Sequence, residues 1–84
     1  MDLIDLREKI DVIDDELLRL FVERMGVSRQ IGLYKKEHGI PVMDAVREGE
    51  KLAAISEKAG AELAPYAHSL FEKLFELSRE YQGN

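Results

Sequence analysis

The sequence predicts an all-α fold: three helices per chain, one of them a long N-terminal helix, assembled as an intertwined helical homodimer. Three observations predict it. Apolar residues recur at steps of three and four along most of the chain, while β-branched residues are sparse and charged ones make up 35%. Two prolines, Pro41 and Pro65, cut the 84 residues into three segments. The first segment is too long for a chain of this size to cover by itself.

The first helix runs from about Asp2 to Glu37. Its seam is Leu3, Leu6, Ile10, Ile13, Leu17 and Leu20, then Val27, Ile31 and Tyr34. A second row of Ile4, Leu18, Phe21, Met25 and Leu33 widens the stripe. Gly39 is placed to stop the helix, with Pro41 just beyond. Gly26 and Gly32 lie inside it, each costing about 1 kcal/mol against Ala. Either a local bend or close packing accounts for them. The second helix starts at Asp44 as N-cap and ends near Lys58-Ala59, with Gly60 as the stop. Its apolar face is thin: Val46, Leu52, Ala53, Ile55 and Ala59. The third helix begins at Pro65, a residue suited to the first helical position. Its seam is Ala67, Leu70, Leu74, Leu77 and Tyr81, beside a parallel row of Phe71, Phe75, Ser78 and Gln82.

Length argues for a partner. A helix of about 36 residues is roughly 54 Å long, whereas a compact domain of this size has a radius of gyration near 12 Å, roughly. Two short helices do not cover a stripe of that length, but a second copy does. The alternative is a kink at Gly26 or Gly32 that folds the first helix back into a four-helix monomer.

Composition excludes several classes. Net charge of −5 argues against broad nucleic-acid binding. No apolar run approaches a membrane span, and Met1-Asp2-Leu3-Ile4-Asp5 lacks the basic start of a signal peptide. The absence of Cys removes disulfides as a means of stabilising so small a chain and fits a cytoplasmic location. No repeat or linker divides residues 1–84, which read as a single domain. His38 and His68 are isolated and read as surface or packing residues, and no metal site is legible.

Arg24 is the sharpest local anomaly. The seam passes through it, between Leu20 and Val27. An interior charge needs an anionic partner, either a protein carboxylate or a ligand. Lys35 lies on nearly the same face, about 16 Å further along the axis. Asp44 and Glu48 are an i,i+4 pair beside Arg47, and Ser78 and Gln82 are another. Each set has a bland reading as a cap, surface charges or a helix end. Jointly they describe a pocket within a helix bundle, suited to a small dianion bearing a hydroxyl.

A resemblance now becomes specific. Leu6-Arg7-Glu8-Lys9-Ile10-Asp11, followed by Ile13-Asp14 and Leu17-Leu18, resembles the opening of the all-helical chorismate mutases. Glu23-Arg24, Ile31-Gly32 and Lys35 continue the pattern, as do Gly39-Ile40-Pro41-Val42, Asp44, Arg47-Glu48 and Glu50-Lys51-Leu52. Leu70-Phe71, Ser78 and Gln82 hold the spacing near the end, so the resemblance spans essentially the whole chain. Met43 and Gly49 depart from it.

The resemblance implies an enzyme: a chorismate mutase converting chorismate to prephenate by a pericyclic rearrangement, with no cofactor. It implies that Arg24 binds a substrate carboxylate and that Arg7 reaches a carboxylate in the other protomer's site. Helical phase agrees, since Arg7 and Arg24 point about 100° apart. Lys35 is implied to contact a carboxylate and the ether oxygen, and Gln82 to be the second donor to that oxygen. Glu48 is implied to accept from the ring hydroxyl, with Asp44, Arg47 and Ser78 in supporting binding positions. Two rival readings stand beside this one: a lyase on the same scaffold releasing pyruvate from isochorismate, and a non-catalytic helical module for dimerisation or regulation.

Overall fold

The computed structural model of the chain describes residues 1–83, which form three helices: α1 (Leu3–Glu37), α2 (Ala45–Ala59) and α3 (Ala64–Tyr81). Local chemistry accounts for most of their ends. Asp2 caps α1 by accepting from the Asp5 N–H at 2.9 Å, and Asp5 returns a contact to the Asp2 N–H at 3.4 Å. At the other end Gly39 turns the chain with φ of 64°, and the Ile40 N–H reaches back to the Lys35 carbonyl at 2.8 Å. Asp44 caps α2 through the Arg47 N–H at 3.1 Å, and Gly60 ends it with φ of 84°. α3 starts at Ala64, one residue before the expected Pro65, and its N-cap Leu63 makes no side-chain bond.

α1 is one continuous helix, so the fold-back at Gly26 or Gly32 does not occur. α1 packs on α3 and α3 packs on α2, while α1 and α2 do not meet. The molecule is correspondingly elongated, 54 × 26 × 15 Å with a radius of gyration of 15.8 Å.

The long seam of α1 does not bury against its own chain: Leu3, Ile10, Ile13 and Leu17 each stay more than half exposed. What α1 buries is Ser28 and Gly32, one turn apart. Gly32 shows why. A Cβ there would lie 2.9 Å from the Gln82 Cα, so the end of α3 rests directly on the α1 backbone. Close packing, not a bend, therefore explains Gly32, whereas Gly26 has open space around it and nothing in the structure explains it. On α3 the two rows exchange roles. Phe75 and Ser78 are buried, while Leu70 and Tyr81 of the expected seam remain at least half exposed. The small residues of α1 set this choice, because they allow the helix axes to approach where the bulky seam does not.

Candidate active site

Because α1 and α2 both lean on α3 without touching, a gap opens between them. It forms a cavity of about 570 Å³. α1 supplies Arg24, Ser28 and Lys35; α2 and its cap supply Asp44, Arg47, Glu48 and Lys51; α3 supplies Phe75, Ser78, Arg79 and Gln82. Five cationic side chains line it against three carboxylates, those of Glu23, Asp44 and Glu48. A chain of net charge −5 thus concentrates its positive charge in one concavity.

Arg24 reaches the cavity from the middle of α1. Its Nη1 donates to Ser78 Oγ at 2.5 Å, and its guanidinium carbon lies 5.6 Å from the centre of the Phe75 ring. Among the described residues no carboxylate pairs with it. Partial burial therefore pulls its pKa below the ordinary arginine value. Of the two anionic partners the sequence allowed, the protein carboxylate is not there.

Lys35 sits where the α1–α2 loop folds back, and its Nζ donates to the Val42 carbonyl at 2.9 Å. One such bond leaves two further N–H donors on the ammonium. Across the gap, Glu48 Oε1 accepts from Arg79 Nη1 at 2.5 Å, an ion pair between α2 and α3. Gln82 Nε2 donates to Ser28 Oγ at 3.1 Å, and the Ser28 hydroxyl donates in turn toward the Ser78 carbonyl at 3.4 Å. The other end of the Gln82 amide, Oε1, is buried and has no partner among the described residues.

The structure thus brings together Arg24, Lys35, Asp44, Arg47, Glu48, Ser78 and Gln82, all singled out from sequence. It does not bring Arg7 to them. Arg7 is exposed on α1, about 25 Å from Arg24 along the axis. Two lining residues escaped the sequence reading. Ser28 had a signal, since it follows Arg24 by one turn and precedes Gly32 by one turn on the same face. Arg79 had none, because its partner Glu48 is 31 positions away. His38 stacks on Tyr34, and His68 contacts Glu72 at 2.9 Å on the surface of α3. Among the described residues no group of three His, Asp or Glu side chains gathers to hold a metal, and no helix is long and apolar enough to cross a membrane.

Three helices around a cationic, hydroxyl- and amide-lined cavity define a small all-α protein. The family model described as chorismate mutase type II matches residues 6–83, and the chain belongs to that family. Similar curated proteins include the "T-protein" of Haemophilus influenzae, 43% identical over 59 residues, covering 67% of this chain and 16% of that protein. The "Bifunctional chorismate mutase/prephenate dehydratase" of Aquifex aeolicus is 32% identical over 82 residues, 98% of this chain and 17% of the relative. The "Chorismate mutase" of Methanocaldococcus jannaschii is 39% identical over 46 residues, 55% of this chain and 46% of the relative. The matched region therefore spans less than half of each of these relatives. No solved structure gave a significant match.

Proposed function

We propose that the 84 residues act as one chorismate mutase domain that rearranges chorismate to prephenate in the cytoplasm. The observation that carries this reading is Arg24, a half-buried guanidinium lining a cavity, with no carboxylate partner among the described residues. The rest of the lining fits the same substrate. A dianion meets an excess of cations, and a ring hydroxyl meets Glu48.

The reaction is intramolecular, so the protein has two tasks. The first is to hold the enolpyruvyl side chain over the ring. Arg24 grips one carboxylate with a forked pair of hydrogen bonds, steadied by Ser78 and by the Phe75 face beneath it. The second is to answer the negative charge that grows on the ether oxygen as its C–O bond breaks. Lys35 and Gln82 both line the cavity and donate to that oxygen. Gln82 does so with an N–H that Ser28 does not use, or with its amide turned over so that Ser28 donates to Oε1. Asp44 and Arg47 complete the binding wall.

The working unit is a homodimer in which Arg7 reaches the partner's cavity. Two features support this. Within one chain, Phe75 is the core of buried apolar side chains among the described residues, while α1 bares Leu3, Ile10, Ile13 and Leu17 to solvent. A lone chain with so little core is marginal, and an isologous pairing of the bare halves covers them. Arg7 lies on that bare half, out of reach of its own cavity.

Purified protein supplied with chorismate should consume it and form prephenate stoichiometrically. Loss of chorismate without prephenate, or pyruvate release from isochorismate as the faster reaction, overturns the assignment.

A further inference from the structure

The ion pair between Glu48 and Arg79 has consequences beyond joining α2 to α3. Both side chains are only 23% exposed, and both line the cavity. Arg79 holds one oxygen of the carboxylate, Oε1, through one nitrogen, Nη1. The second oxygen, Oε2, has no hydrogen-bond partner among the described residues. Glu48 also stands one helical turn from Asp44, so two carboxylates of α2 face a cavity meant for a dianion. Uncompensated, that arrangement repels the substrate.

We propose that Arg79 is a positioning residue for the reaction: it clamps Glu48 by Oε1, offsets its charge against the incoming dianion, and leaves Oε2 to accept from the substrate hydroxyl. This rests on the reading of Glu48 as the hydroxyl acceptor. Arg79 itself does not touch substrate. It acts from α3, the helix that also carries Ser78 and Gln82, and so ties the acceptor on α2 to the same frame as the ether-oxygen donor. A carboxylate on a thin, Gly49-bearing helix is otherwise free to swing among rotamers, and a shift of that size at a binding contact is costly.

The test is a kinetic cycle on the full chain with chorismate, using Arg79→Gln, Arg79→Lys, Glu48→Gln and the double variant Glu48→Gln/Arg79→Gln, each with its melting curve. Arg79→Gln should lower kcat/KM about tenfold, and the loss should fall on the same parameter, kcat or KM, as the loss in Glu48→Gln. Arg79→Lys should recover activity to within about threefold, since a cation remains. The double variant should be no worse than Glu48→Gln by more than about twofold, because Arg79 acts through Glu48. A mere strut between α2 and α3 would instead give multiplicative losses that track melting temperature. Multiplicative losses, or a wild-type rate in Arg79→Gln beside a crippled Glu48→Gln, overturn the positioning role alone. Wild-type kinetics in Glu48→Gln overturn both the hydroxyl-acceptor reading and this one. Should Arg79→Gln fail to fold, Arg79→Lys carries the cycle: the loss it causes must vanish in the Glu48→Gln background.

Discussion

The two halves of α1 are built to the same periodic pattern and end in opposite situations. From Phe21 onward the helix rests on α3, buries Ser28 and Gly32, and presents Arg24 and Lys35 to a cavity. From Leu3 to Leu20 every residue is exposed, and the apolar seam is left in solvent. The contrast teaches that periodicity marks a face to be covered without saying what covers it. The half with small and polar residues buries Ser28 and Gly32 within the chain, although Val27, Leu33 and Tyr34 stay at least half exposed. The half with the bulkier seam has no cover within the chain, which is what the proposed pairing with a second copy would supply.

The largest effect expected in the cavity half is that of Arg24→Ala. Activity should fall on the order of 10³-fold, because a group aimed at developing or bound negative charge is lost. Stability should hold or rise, since the variant removes a half-buried cation that has no carboxylate partner among the described residues. An unfolded variant in circular dichroism would show that Arg24 serves the fold instead.

Next in size, Gln82→Glu should cost about 10²-fold at neutral pH. A carboxyl group donates only when protonated, so activity should be present at acid pH and lost as pH rises through the carboxyl pKa. A pH–rate profile as flat as that of the wild type would remove Gln82 from the reacting centre.

The bare half is probed by chain mixing. Arg7→Ala and Arg24→Ala proteins should each be nearly inactive alone. Unfolded together and refolded as an equal mixture, they should regain roughly a quarter of the wild-type sites by random pairing, since one site in each mixed dimer carries both arginines. Absence of recovery, with exchange verified by mass-tagged chains, would make the two halves of α1 work within one protomer.

The smallest effect sharpens the comparison at the junction itself. Gly32→Ala should destabilise the protein by about 1–3 kcal/mol, because a methyl group there meets the Gln82 backbone. Gly26→Ala, in open space, should be neutral or stabilising by up to about 1 kcal/mol. Equal melting temperatures for the two variants would mean that α3 does not dock on Gly32.

Helix ends were legible because they depend on neighbours a few residues away. Asp2 and Asp44 cap by reaching three residues forward, and Gly39 and Gly60 supply positive φ where each helix stops. The lining residues Arg24, Lys35, Asp44, Arg47, Glu48, Ser78 and Gln82 were legible for a different reason. Their spacing resembles that of the family, and polar groups interrupting an apolar pattern stand out. Arg7 was set apart from them by the resemblance, and helical phase agreed.

By itself, then, the sequence determined three helices and, within a residue, both limits of α1 and α2 and the start of α3, because short-range hydrogen bonds and helical phase suffice for these, while the polar set came from its resemblance to the family. Only the tertiary structure decided which row of each helix is buried, since that depends on how closely two axes approach at Gly32 and Gln82. It alone paired Glu48 with Arg79 and Gln82 with Ser28, across 31 and 54 positions of chain. Partners so far apart are chosen by which side chains the packed helices leave facing one another, and no local rule of sequence carries that information.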